Sequence, residues 1–208
     1  MDSAQSRLHP LAPVLQFAPE LLLKAAAIKV AFFDVDGVLT DGGLYFSEYP
    51  AHDARAQAPA DRLYSAGELI KRFHTLDGHG LKLLQRVGIT PVVITGRDSL
   101  VLRARLESLG VAHAYFGTED KRPAAEQSLA ALGLDWSQAA AMGDDWPDLP
   151  VMRRAALSCA PANAHAEVKA IAHFTTGVPG GHGAVREFCD LLLVGSGRYV
   201  DLLREFSQ

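Results

Sequence analysis

Cysteine is nearly absent from this chain: Cys159 and Cys189 are the only two, in separate segments and without CxxC spacing. That argues against a disulfide framework or a thiolate zinc site and leaves both thiols to be read as reduced and buried. Basic charge is in deficit, with 20 Lys plus Arg against 24 Asp plus Glu and a net charge of −4, so no footprint for nucleic acid is expected. No apolar run approaches the roughly 18 residues of a membrane span, because Lys24 and Lys29 interrupt Leu21 to Phe33. The N-terminus lacks a basic stretch leading into an apolar block, Asp2 and a lone Arg7 standing before Pro10, so no secretory signal is read and the cytoplasm is the expected compartment. The eight histidines show neither HxH nor HxxxH spacing, which disfavours a histidine zinc site. Internal repeats and low-complexity tracts are missing too.

What is present suffices for one well-buried core. The 208 residues are 49% hydrophobic, and a chain of that length is expected to form a single domain over residues 1–208. From residue 28 onward strand-like and helix-like segments alternate, the pattern of a doubly wound, Rossmann-like parallel α/β sheet. Strands are expected at 28–33, 90–94, 112–116, 139–142, 156–159 and 172–175. Helices are expected at 19–27, 78–86, 99–109, 121–132, 148–154 and 195–208, with Gly88, Gly110 and Gly133 placed as helix stops. Residues 42–76 break the alternation and are expected to form a projecting β-hairpin with a long loop around 50–61. Residues 177–208 are expected to form a Gly-rich turn and C-terminal helices.

Sheets of this kind place ligands beyond the carboxyl ends of their strands, and there the polar residues cluster. Asp34-Val35-Asp36-Gly37 follows the first apolar strand. Alternate residues of an extended segment share a side, so Asp34 and Asp36 can converge on one pocket while Gly37 turns the backbone away. Alone, such a pair reads more readily as a solvated turn or a helix cap. Three further elements corroborate it: Thr95-Gly96-Arg97 after the second strand, Lys121 opening a helix after the third, and Gly143-Asp144-Asp145 after the fourth. A pocket holding up to four aspartates, one lysine and one threonine requires raised pKa values or a hard divalent cation, and oxygen-only ligands favour Mg²⁺. One aspartate can attack phosphorus and form an aspartyl phosphate, the second protonating the leaving alcohol and then activating water.

In this order the four elements resemble the haloacid dehalogenase superfamily of phosphohydrolases over residues 28–195. The resemblance implies Asp34 as nucleophile, Asp36 as general acid/base, and Thr95 and Lys121 as phosphate binders. Asp34, Asp36 through its carbonyl, and Asp144 would be metal ligands, supported by Asp145. Only 25 residues separate Thr95 from Lys121, which leaves no room for an inserted cap domain. Longer stretches, Asp34 to Gly42, Asp77-Gly78, Ile94 to Arg97, Gly143 to Asp145 and Gly180 to Leu193, are similar to the capless 3-deoxy-D-manno-octulosonate 8-phosphate (KDO 8-phosphate) phosphatases. That likeness implies a phosphorylated sugar acid as substrate, a homotetramer whose hairpins assemble the core, and a role in lipopolysaccharide sugar synthesis. Candidate substrate contacts are Gly96, Arg97, Asp77, Gly78, His182 and Arg186. Arg97 is read first as a contact to the substrate carboxylate or phosphate and second as a partner of a helix carboxylate, whereas Arg186 is as readily a surface or interface ion pair with Glu187. Leu76 and His182 depart from the basic residues this family commonly carries there. Nine-carbon acids such as KDN 9-phosphate are the alternative substrates. A catalytically idle binding protein of the same fold, or a receiver-type signalling domain, are alternatives of another class.

Overall fold

The structure, a computed structural model, describes residues 14–46 and 68–208. Six strands form one parallel sheet: β1 (Val30–Phe33), β4 (Thr90–Ile94), β5 (His113–Tyr115), β6 (Ala139–Met142), β7 (Leu157–Ala160) and β8 (Phe174–Thr175). Their spatial order is β5-β4-β1-β6-β7-β8. The chain builds outward from β1 to β5, then crosses back to lay β6 on the other side of β1. This makes the fold a doubly wound Rossmann-like sheet, with its topological switch point beside β1, where a crevice opens. β2 (Tyr45–Phe46) and β3 (Glu68–Ile70) form a separate antiparallel pair. The expected loop at 50–61 that would join them lies outside the described residues.

Alternation along β1 explains the two layers. Ala31 and Phe33 enter one core with Leu81, Leu84, Leu102, Val185 and Phe188, whereas Val30 and Phe32 enter the other with Ala125, Leu129, Val151 and Val168. Successive side chains of a strand point to opposite faces, and a strand buried on both reads as continuously apolar. The helices on the first face are α1 (Pro19–Ala25), α2 (Thr75–Arg86), α3 (Leu100–Leu109), α7 (Ala184–Gly195) and α8 (Tyr199–Glu205). The second carries α4 (Lys121–Leu132), α5 (Leu149–Met152) and α6 (Ala166–Ile171).

Several boundaries differ from expectation for identifiable reasons. β1 starts at Val30, not Ile28, because the Ile28 amide closes a turn onto the Ala25 carbonyl behind α1. α2 begins at Thr75 and runs through Gly78 and Gly80, which lower helix propensity but allow close packing. A Cβ on Gly78 would lie 2.4 Å from an Arg105 nitrogen, and one on Gly80 3.0 Å from Cys189 Sγ. The expected helix over 195–208 is shorter, α8 running only from Tyr199 to Glu205, because α7 ends at Gly195 and left-handed Gly197 (φ +74°) separates the two. The expected start of helix 148–154 is a 3₁₀ turn over Trp146–Asp148, which frees the Asp148 carboxylate for the loop beside it. α6 was not expected at all.

Candidate active site

The carboxyl ends of β1, β4 and β6 surround a cavity of about 490 Å³ lined by Asp34, Asp36, Thr95, Gly96, Arg97, Lys121, Asp144, Asp145 and Asp148, among others. Asp34 follows β1 directly, and its amide bonds to the Met142 carbonyl at the end of β6. Thr95 continues β4 and is buried, its Oγ1 accepting from the Arg97 amide at 3.3 Å. Lys121 opens α4, only 6% exposed. Its ammonium donates to Asp34 Oδ1, and to Asp148 Oδ1 at 2.6 Å.

Gly37 turns the loop at φ +91°, and a Cβ there would stand 2.0 Å from Asp144 Oδ2. The glycine therefore supplies the turn and also admits the Asp144 carboxylate. Asp148, which the sequence reading did not place in the site, organises this corner. Its Oδ2 accepts from the amides of Asp144 at 3.0 Å and Asp145 at 3.3 Å while Oδ1 holds Lys121. Ligand-capable oxygens of Asp34, Asp144 and Asp148 all lie within 4.8 Å of one another. Both Asp148 oxygens are already engaged, so Asp34 and Asp144 are the carboxylates open to a cation. The Asp145 carboxylate, an expected support for the metal, lines the same cavity and caps the 3₁₀ turn through the Trp146 amide at 2.8 Å.

Burial, and then the negative charge of Asp148, push the Asp34 pKa from an ordinary 3.8 to about 7, although the adjacent Lys121 pulls it back. Burial followed by Asp34 and Asp148 raises Asp144 to about 8. Burial opposes the charge on Lys121, yet the two aspartates outweigh it and raise its pKa. An oxygen-only donor set whose carboxylates resist ionisation together is a fit for a hard cation such as Mg²⁺.

A stability prediction follows from the sign of these shifts. Between the ordinary carboxylate pKa of 3.8 and the raised values of about 7 and 8, the folded state binds more protons than the unfolded chain. Cation-free protein should therefore lose stability as pH rises through that window. Millimolar Mg²⁺, which prefers the ionised carboxylates, should raise the melting midpoint by on the order of 5 °C at about pH 8 and by much less at about pH 5. Equal shifts at the two pH values, read by thermal unfolding with and without chelator, would remove this corner as the cation site.

Asp36 lines the same cavity. Lys71, at the base of β3 and also not foreseen, sets its Nζ 2.5 Å from Asp36 Oδ1, and Arg97 Nε stands 3.6 Å from Oδ2. The remaining expected contacts lie elsewhere. Asp77 is buried in the first turn of α2, where its carboxylate accepts from the amides of Gly183 at 3.3 Å and Arg186 at 2.9 Å. Gly78 packs against α3 as described. The Arg186 guanidinium pairs with Asp190 at 2.8 Å and borders a different cavity with His79 and Tyr199. His182 meets Arg72.

The Gly-rich turn at 177–183 is tied to the nucleophile loop. Asn163 donates to the Gly37 carbonyl at 3.0 Å and accepts from the Gly180 amide at 2.7 Å, and the Gly181 amide bonds to Val38. A Cβ at Gly180 would fall 1.9 Å from the Gly37 oxygen. The turn thus buttresses the loop of its own chain.

Three comparisons bear on this geometry. Residues 115–187 match the sequence profile of a family described as haloacid dehalogenase-like hydrolase. The 3-deoxy-D-manno-octulosonate 8-phosphate phosphatase of Yersinia pestis is 38% identical over 177 residues, spanning 85% of this chain and 86% of that one. Among solved structures, the phosphatase of the same name from Moraxella catarrhalis, in complex with a magnesium ion, a phosphate ion and KDO, superimposes with TM-score 0.79 at 33% identity, covering 90% of this chain and 98% of that one. The cobalt-bound deoxy-D-mannose-octulosonate 8-phosphate phosphatase of Haemophilus influenzae does so with TM-score 0.73 at 36% identity, covering 85% and 93%.

Proposed function

The chain belongs to the 3-deoxy-D-manno-octulosonate 8-phosphate phosphatase family of haloacid dehalogenase-like hydrolases, and from that premise we propose that it is a Mg²⁺-dependent phosphomonoesterase converting KDO 8-phosphate and water to KDO and inorganic phosphate. The observation that carries this reading is the Asp34–Lys121–Asp148 arrangement at the switch point, with Asp36 on the wall of the same cavity.

The substrate phosphate enters between Thr95, the Gly96 and Arg97 amides and Lys121, a preorganised set of donors for its oxygens. A carboxylate oxygen of Asp34 attacks phosphorus, and the bond from phosphorus to the C8 oxygen breaks. Asp36 gives its proton to that oxygen as it leaves. Asp36 then takes a proton from a water molecule, whose oxygen attacks the phosphorus of the aspartyl phosphate and releases inorganic phosphate with Asp34 restored. Asp34, Asp144 and the Asp36 carbonyl would hold Mg²⁺, which supplies positive charge against both the carboxylates and the transferring phosphoryl group. Asp148 holds Lys121 and the 144–145 backbone in register with the nucleophile.

Assembly and compartment belong to the same reading. A homotetramer is supported by Leu44, Tyr45 and Ile70, large apolar side chains left exposed on and beside the β2–β3 arm. Among the described residues no helix is long and apolar enough to cross a membrane. The product chemistry fits a cytoplasmic enzyme of lipopolysaccharide sugar synthesis.

The test is phosphate release with Mg²⁺ from KDO 8-phosphate, KDN 9-phosphate, glucose 6-phosphate and p-nitrophenyl phosphate. The expected outcome is a kcat/KM for KDO 8-phosphate on the order of 10²-fold above the others, a gap of the size that buried polar recognition achieves. A preference for the nine-carbon acid moves the substrate, and release from none of them returns the chain to a binding role.

A further inference from the structure

KDO 8-phosphate carries its phosphate on C8 and its carboxylate at C1, at opposite ends of the molecule. With the phosphate on the floor beside Asp34, the carboxylate needs a cation towards the mouth. Three cationic side chains stand on the Asp36–Asp41 side. Lys71 and Arg97 both face the Asp36 carboxylate, at 2.5 and 3.6 Å. Arg72 is held differently.

The Arg72 side chain is 48% exposed, and its Nη1 lies 2.9 Å from His182 Nε2 and 3.7 Å from Asp41 Oδ2. His182 Nδ1 stands 2.8 Å from the Gly180 carbonyl. A carbonyl oxygen only accepts, so Nδ1 carries the proton and Nε2 presents its lone pair to the guanidinium. Gly180 cannot yield, because its amide is bonded to Asn163 and its α-carbon is pressed against Gly37. The chain of contacts from Gly180 through His182 therefore grips one corner of Arg72 from a point in the Gly-rich turn that is fixed against the nucleophile loop. Among the described residues Nε and Nη2 meet no partner. A planar guanidinium held at one corner, with Nε and Nη2 unpartnered among the described residues, can meet a carboxylate in bidentate fashion through one N–H of each.

We propose that Arg72 binds the carboxylate of the sugar acid and that His182 is a positioning residue that aims it; this rests on the substrate reading above. Lysine could not substitute, since it offers a point charge without the fork. His182, for its part, acts only through Arg72.

The experiment measures kcat/KM with Mg²⁺ for KDO 8-phosphate and for p-nitrophenyl phosphate, which has no carboxylate, and follows their ratio. Arg72→Ala is expected to lower that ratio by on the order of 10- to 100-fold, through KM for the sugar acid, and Arg72→Lys to recover only part of it. His182→Ala should lower it several-fold, His182→Gln, which keeps an acceptor near the Nε2 position, should restore most of it, and adding His182→Ala to Arg72→Ala should change it no further. A ratio within about threefold of wild type in Arg72→Ala overturns the assignment of Arg72, and additive losses in the double variant overturn the aiming role of His182. A wild type active on p-nitrophenyl phosphate but idle on KDO 8-phosphate overturns the substrate reading itself, and this assignment with it.

Discussion

Replacing Asp34 by Asn is expected to lower turnover by on the order of 10⁴-fold or more, as removal of a covalent nucleophile does, while the fold stays intact. The two halves of that expectation have separate physical grounds. An amide oxygen cannot form the acyl phosphate, so the reaction loses its first intermediate, and Asp148, the other carboxylate on Lys121, has both oxygens committed to Lys121 and the 144–145 amides. The amide does keep an acceptor for the Lys121 ammonium, so the packing beside β1 needs no rearrangement. It also removes one of the charges that raise the Asp144 pKa, where Asp34 ranks just behind burial. In the absence of Mg²⁺ at about pH 8, Asp34→Asn should therefore melt no lower than wild type, and the alkaline loss of stability described above should be smaller. Circular dichroism, thermal unfolding and phosphate release on the same preparation check both halves. Substantial residual turnover would remove Asp34 from the nucleophile's place, and a collapsed fold would show that its charge is structural.

The catalytic candidates were legible because each follows a local signal. Asp34, Thr95 and Asp144 stand one or two residues past a short apolar run, and Lys121 stands at the first position of an amphipathic helix. In a parallel sheet those local positions converge, so reading strand ends amounts to reading the pocket. What escaped depends on contacts distant in sequence or on side-chain direction. Lys71 reaches Asp36 across 35 positions, and Asp77 anchors amides more than 100 positions away. Neither pairing leaves a trace in spacing or periodicity. Asp148 did leave one: Asp145-Trp146-Pro147-Asp148 has the acidic residues three apart of a capping box, a pattern that marks a turn start and fixes both carboxylates. In the sequence Asp148 marks only the start of the helix expected over 148–154, and its second function, holding Lys121, depends on α4 lying alongside. α6 went unseen because its first turn is capped by the His165 ring rather than by Ser, Thr or Asp.

The Lys121→Ala variant tests the electrostatics of the whole corner. Among the described residues Lys121 is the one ammonium between Asp34 and Asp148, and it is buried with them. Loss of a single preorganised charge at a developing anion costs on the order of 10²- to 10³-fold in rate. A second effect has a definite direction. Lys121 lowers the pKa of both Asp34 and Asp144, so without it both carboxylates hold their protons to higher pH. The acid limb of kcat/KM should accordingly move to higher pH, because ionised Asp34 is the attacking form. Stability should respond in the same sense. Breaking a buried pair from one side commonly costs about 3–5 kcal/mol, but protonation can neutralise the stranded aspartates, so the loss should be larger at about pH 8 than at about pH 5. Rate profiles and melting midpoints across that range read both effects. If the rate changed by less than about threefold and the acid limb stayed in place, Lys121 would be a structural ion pair and the phosphate would have to be held by Thr95 and the adjoining amides alone.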